Sequence, residues 1–99
     1  MQVEFSKIAR ETLSDHIAFL EITWTYREIR IFLEDVQRIV TDLEKGYYQQ
    51  FQKSTKNTRS VLIGKKHVRM FFRTEAKERI IVLLFFDMRQ DPQKIIDLL

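Results

Sequence analysis

The spacing of apolar residues divides the chain into segments of different period. Gln2 to Phe5 alternates polar and apolar, with Val3 and Phe5 on one side, which predicts a short half-buried strand. The period then lengthens. Ile8, Ala9, Leu13, Ile17, Leu20 and Trp24 recur at three-to-four spacing, and Ser6 stands before them as the N-cap of an amphipathic helix. A second helical stretch runs Ile29, Phe32, Leu33, Val36, Ile39, Val40 and Leu43, with Thr25 and Glu28 placed as a capping box and Gly46 as the stop. The couple of residues around Trp24 to Tyr26 that join the two make them antiparallel neighbours in a hairpin.

Residues 47 to 57, YYQQFQKSTKN, keep neither period and read as a loop. Arg59 to Ile63, Lys66 to Thr74 and Lys77 to Asp87 are rich in β-branched and aromatic residues and predict a three-stranded meander, with turns at Gly64-Lys65 and Glu75-Ala76. Ile80 to Phe86 is apolar at every position, which suits a central strand covered on both faces. The pairs Phe71-Phe72 and Phe85-Phe86 each turn one ring away from the helices, so a helix, a chain terminus or a partner should cover the second face, and the outward faces of the meander and the helical hairpin are the expected partner surface. Asp91-Pro92 breaks the last strand, and Gln93 to Leu99 has room for a helical turn or two. The expected architecture is a single α+β domain over residues 1–99, β-α-α-β-β-β, with a helical hairpin packed on a small, mainly antiparallel sheet.

Composition narrows the function classes. With 44% apolar and 31% charged residues the chain is an ordinary globular sequence. Its longest apolar run is far short of the roughly 20 residues that cross a bilayer, and MQVEFSKIAR has no apolar core of a secretory signal, so a cytoplasmic location is expected. The absence of cysteine excludes disulfides, thiolate chemistry and zinc-finger ligation. The net charge of +3 hides an asymmetry: residues 1–46 hold six Lys/Arg against nine Asp/Glu, and residues 47–99 hold eleven against five. Lys53 to Arg73 carries seven bases and no acid, a stretch that attracts a polyanion or an acidic peptide, or serves as a solvated sheet face.

Two runs in this basic half, RSVLIGKKHVRMFFR (Arg59 to Arg73) and RIIVLLFFDMRQDP (Arg79 to Pro92), resemble the RelE/ParE toxin superfamily. The resemblance lies in the Arg59-x-x-x-Ile63 strand, the Gly64 hairpin with His67, the Phe72-Arg73 strand end and the closing Asp87-x-Arg89-x-Asp91-Pro92. It implies the toxin component of a type II toxin–antitoxin system, of the kind that inhibits bacterial growth and stabilises plasmids. It also implies a cognate antitoxin that wraps the toxin with an extended segment and a helix. The ribonuclease branch of the superfamily places a Tyr or His near the end of the last strand, whereas here none follows Phe86. That favours the ParE branch, which poisons DNA gyrase by protein contact without chemistry. The alternatives are a RelE-like endoribonuclease acting on mRNA in the ribosome and a non-toxic, basic nucleic-acid-binding relative.

Site expectations follow from the same residues. Arg59, Lys65, Arg69, Arg73 and Arg89 are the candidate target-binding cations, since guanidinium forks hold phosphates or carboxylates. If the chain is a ribonuclease, His67, Arg89 and Lys66 are its candidate catalytic groups, His67 having the one suitable unperturbed pKa. A lone strand histidine is more often structural, and Arg89 has an alternative role as a surface partner of Asp87 or Asp91. His16, on the first helix, is expected at its surface or boundary with no role. Tyr47, Tyr48 and Phe51 are expected to close the core rather than stack on bases. No phosphate-binding glycine loop, metal-ligand cluster or nucleophile–base pair is present in the sequence, so no cofactor or metal is expected.

Overall fold

The computed structural model describes residues 1–54, 57–64, 67–76, 78–91 and 93–94. Its elements are β1 (Gln2–Phe5), α1 (Lys7–Thr23), α2 (Tyr26–Glu44), β2 (Gln52–Lys53), β3 (Arg59–Leu62), β4 (Val68–Glu75) and β5 (Arg79–Asp87). The order is the one expected, with one correction: the stretch read as a loop contains the two-residue strand β2, paired antiparallel with β3 through Gln52–Ser60 and Lys53–Arg59. A strand this short has no period for the sequence to display. Lys65, half of the first predicted turn, lies outside the described residues, as do Lys66, Pro92 and residues 95–99.

Both helices start where the capping signals place them. The Ser6 hydroxyl accepts from the Ala9 amide at 3.0 Å, and Thr25 and Glu28 complete a reciprocal capping box, each cap being worth about 1 kcal/mol. α2 ends at Gly46, whose φ of +86° suits a residue without Cβ. Phe32, Val36, Ile39 and Leu43 form the buried stripe of α2, while α1 buries only Ala9 and Leu20 completely.

The sheet order is β1-β5-β4-β3-β2. β5 pairs antiparallel with β4 on one side and parallel with β1 on the other. The helices cover the face carrying Ile80, Val82 and Phe85 of β5 and Val68, Met70 and Phe72 of β4. Tyr48 and Phe51 pack against this core as expected, Phe51 edge-on to Phe72 at 5.8 Å, while Tyr47 stays exposed.

β1 reaches only as far as Val82, so the rest of the β5 edge needs other partners. α1 supplies them. The Ser6 amide donates to the Val82 carbonyl at 3.0 Å, the Ser6 hydroxyl donates to Leu83 at 2.9 Å, and the Phe85 amide donates to the Thr12 hydroxyl at 3.0 Å. His16, half-buried one helical turn further along, donates to the Phe85 carbonyl. A polar face of α1 thus continues the hydrogen bonding that β1 begins. Leu83 marks the handover: Phe71 pairs with Leu84 and Phe72 with Val82, so Leu83 is an extra residue, a β-bulge.

The bulge resolves the seven-residue apolar run. Phe71, Leu84 and Phe86 point away from the helical core and form a second small cluster. They are 3%, 0% and 4% exposed, so the expectation of an open apolar face awaiting a partner is corrected: this face is already covered within the chain. The large exposed apolar side chains lie elsewhere, foremost Ile22 at 83% and Tyr26 at 81% at the helix–helix turn.

Two stability predictions follow from the β5 edge. Thr12→Val leaves the half-buried Phe85 amide without an acceptor and is expected to cost about 1–3 kcal/mol in urea unfolding, with Thr12→Ser restoring most of it. His16 is held below its ordinary pKa, first by burial, which outweighs the Phe85 carbonyl, Asp87 and Asp15 acting in the opposite direction. The unfolded chain therefore binds the proton first as pH falls. Stability should decline below about pH 6.5 before the carboxylates titrate, and His16→Gln should flatten that limb of the stability–pH curve.

Candidate functional site

The candidate cations do not converge. β4 runs from Val68 to Glu75, and at about 3.3 Å per residue its two ends lie roughly 20 Å apart. Arg73 stands near one end and His67 just beyond the other. His67 was expected on the strand itself; it sits instead in the turn that precedes it, exposed, with its carbonyl accepting from the Met88 amide at 2.7 Å. Lys65 and Lys66 lie outside the described residues.

At the β5 end, Arg89 and Asp87 are joined by three hydrogen bonds. Arg89 gives Nε to Asp87 Oδ1 at 3.0 Å and Nη2 to Oδ2 at 2.7 Å, and its backbone amide donates to Oδ1 at 2.9 Å. The Asp87 side chain is only 14% exposed whereas that of Arg89 is 58% exposed. The carboxylate is thus anchored in the body of the protein and presents the guanidinium outward. The Arg89 hydrogen bond holds the Asp87 carboxyl at about 2, against the opposing effect of burial, and the same contact raises the pKa of Arg89. The ion pair expected as the bland role of Arg89 is present, and it also fixes the fork.

A cavity of about 310 Å³ lies beside this pair, between α1 and the start of β4. His67 and Arg89 line it, together with His16, Phe19 and Trp24. His16 was assigned no role from sequence; its boundary position on α1 is as expected, but the fold turns it toward the same space as His67. The two histidines stand 51 positions apart in the sequence, 16 against 67, and no local pattern signals that meeting.

At the other end of β4, Arg59 and Arg73 line a cavity of about 340 Å³ with Lys53. Arg59 lies 5.7 Å from the ring centre of Tyr48 and donates to the Phe51 carbonyl at 3.0 Å. Arg73 is engaged by Glu75, with Nε and Nη2 at 2.9 and 2.6 Å from one carboxylate oxygen. Arg69 belongs to neither cavity: it crosses the outer face of the sheet to Ser60 at 3.2 Å and Gln52 at 2.9 Å. Lys53 was part of the basic stretch but not of the expected site.

Among the described residues, no three His, Asp or Glu side chains gather to hold a metal, and no helix is long and apolar enough to cross a membrane.

No family model matches the sequence, and no curated protein does. The fold is found among solved structures. A chain of the chromosomal ParDE TA system from P. aeruginosa superposes with a TM-score of 0.72 and 13% identity, over 88% of this chain and 95% of that one. Such identity speaks to architecture alone: two helices on one face of a five-stranded mixed sheet share the fold of that ParDE chain.

Proposed function

We propose that this chain is the toxin of a type II toxin–antitoxin pair, acting in the cytoplasm to arrest growth by binding DNA gyrase, and that a cognate antitoxin neutralises it. The observation that carries the contact mechanism is the Arg89 fork. Its guanidinium is exposed, held in one orientation by a nearly buried carboxylate, and placed at the end of the central strand. A fixed fork suits recognition of an acidic or hydrogen-bonding protein surface, because little side-chain freedom is lost when the target arrives. Arg73 and Arg79 are likewise occupied by Glu75 and Glu4, so most guanidiniums here are positioned donors rather than free charges waiting for a transferring phosphoryl group.

The helical hairpin is the surface on which an antitoxin would close. Phe19, Ile22, Tyr26 and Ile31 are all about half exposed or more, and an amphipathic or extended partner segment would remove that apolar area from water. Burial of Phe71, Leu84 and Phe86 within the chain withdraws the outer sheet face from this role.

One observation favours the ribonuclease alternative: His16 and His67 share a cavity with Arg89. Two imidazoles and a guanidinium are the groups that metal-independent cleavage of RNA uses to move protons and steady the phosphorane. Lys66, the third catalytic candidate, remains part of that alternative alone.

Expression of the chain in a bacterial host is expected to arrest growth with a DNA-damage response and intact mRNA, and co-expression of the antitoxin encoded beside it should restore growth. Arg89→Ala takes two hydrogen bonds from a nearly buried carboxylate, at a cost of about 1–3 kcal/mol, and should leave the chain folded while abolishing arrest and gyrase inhibition. His67→Gln should change neither by more than a few fold. Normal growth at confirmed expression of the folded chain would sink the toxin reading. Arrest accompanied by mRNA cut within codons, and lost in His67→Gln, would move the assignment to the ribonuclease branch.

A further inference from the structure

We propose that the cavity at the β2–β3 edge, lined by Lys53, Arg59 and Arg73, is a binding site for a phosphate-bearing ligand. The inference stands on the geometry of that cavity and does not rest on the toxin reading.

Its lining carries three cations and, among the described residues, no carboxylate. Asn57, Ser54 and Thr74 add uncharged donors around the same space. A concavity walled by protein and lined by one sign of charge focuses the field and concentrates anions within it. Lys53 makes no ion pair with any described residue, and neither does Arg59; the six pairs found join other side chains.

Arg59 shows why the charge is kept there. Its guanidinium is secured without being neutralised: carbonyl oxygens of Phe51 and Gln49 accept from Nη1 at 3.0 and 3.5 Å, and the Tyr48 ring lies 5.7 Å away. Carbonyl dipoles and a ring quadrupole orient a cation and leave it its full charge. Arg73 contributes from the neighbouring strand with Nε and Nη2 bound to Glu75 and no hydrogen bond from Nη1 to any described residue. Asn57, at φ +59°, holds a left-handed turn beside the cavity mouth, a conformation that asparagine tolerates better than most residues. Phosphate is the anion this arrangement fits best, because two guanidinium groups and an ammonium together offer more donors than a single carboxylate accepts.

The test is a titration of the full, uniformly 15N-labelled chain at low ionic strength with inorganic phosphate, with adenosine 5′-monophosphate and with a short single-stranded oligonucleotide. Saturable shifts are expected at the amides of Lys53, Asn57, Arg59 and Thr74, with none at Asp87 to Arg89. Lys53→Gln, a change at an exposed side chain, should weaken binding about tenfold. Arg59→Lys keeps the charge and removes the fork, and should weaken it as much. Equal affinity for phosphate and the nucleotide would identify a free phosphate group as the ligand chemistry. A tighter, steeply salt-dependent oligonucleotide complex at the same residues would identify a nucleic-acid backbone. Absence of saturable shifts with all three probes, or binding unchanged in folded Lys53→Gln, would overturn the proposal.

Discussion

Everything in this fold depends on satisfying the backbone of β5 on both sides while burying both of its faces. A strand with seven successive apolar side chains has no solvent face, and its amides and carbonyls have no water to turn to. β4 meets one edge along its whole length. β1 meets the other only from Arg79 to Val82, and there the chain turns into α1, whose Ser6, Thr12 and His16 provide donors and acceptors for Leu83 and Phe85. One helix therefore does two jobs, packing Ala9 and Leu20 into the core and finishing the sheet with polar groups. The parallel β1–β5 pair, the bulge at Leu83 and the position of α1 are parts of one solution.

That solution also explains what the surface offers. Once the bulge re-aims the strand, Leu84 and Phe86 join Phe71 in a cluster that the chain itself buries, and the sheet no longer presents the apolar face expected of paired phenylalanines. The exposed apolar area shifts to the helical hairpin, at Ile22 and Tyr26. These residues flank the tight Trp24–Tyr26 connection and stay in solvent while Trp24 between them packs on the core against Phe32. A partner that wraps the helices has more to gain than one that covers the sheet.

Local signals were legible in the sequence wherever one residue type has one physical reason to be in place. Ser6, the Thr25–Glu28 box and Gly46 set the helix limits within a residue or so, and the meander followed from β-branched and aromatic runs. The parallel placement of β1 beside β5 was not legible, because the register joins Gln2 to Arg79 and no local pattern encodes a partner 77 positions away. β2 was too short to show a period. The candidate site suffered in the same way. Arg59, Arg69 and Arg73 are close in sequence, yet Arg69 reaches across to Ser60 and Gln52 while Arg59 and Arg73 line one cavity at the other end of β4. His16 reaches His67 only through the docking of α1 on β5, which composition and spacing do not report.

The charges that result differ in kind at the two ends of β4. Arg89 is bound to a carboxylate that is itself nearly buried, so its long-range field is largely cancelled while its direction is fixed. Such a group discriminates at contact and attracts little from a distance. Arg59 is bound to carbonyls and set over a ring, and Lys53 beside it makes no ion pair with any described residue, so their field persists into solvent. Such groups draw anions in before any contact forms. A single chain of this size carrying both devices about 20 Å apart has one end built for shape-specific recognition and another built for charge. Because the two lie at opposite ends of one sheet, occupation of either leaves the other accessible, and two different ligands, a protein surface and a phosphate, are compatible on one molecule.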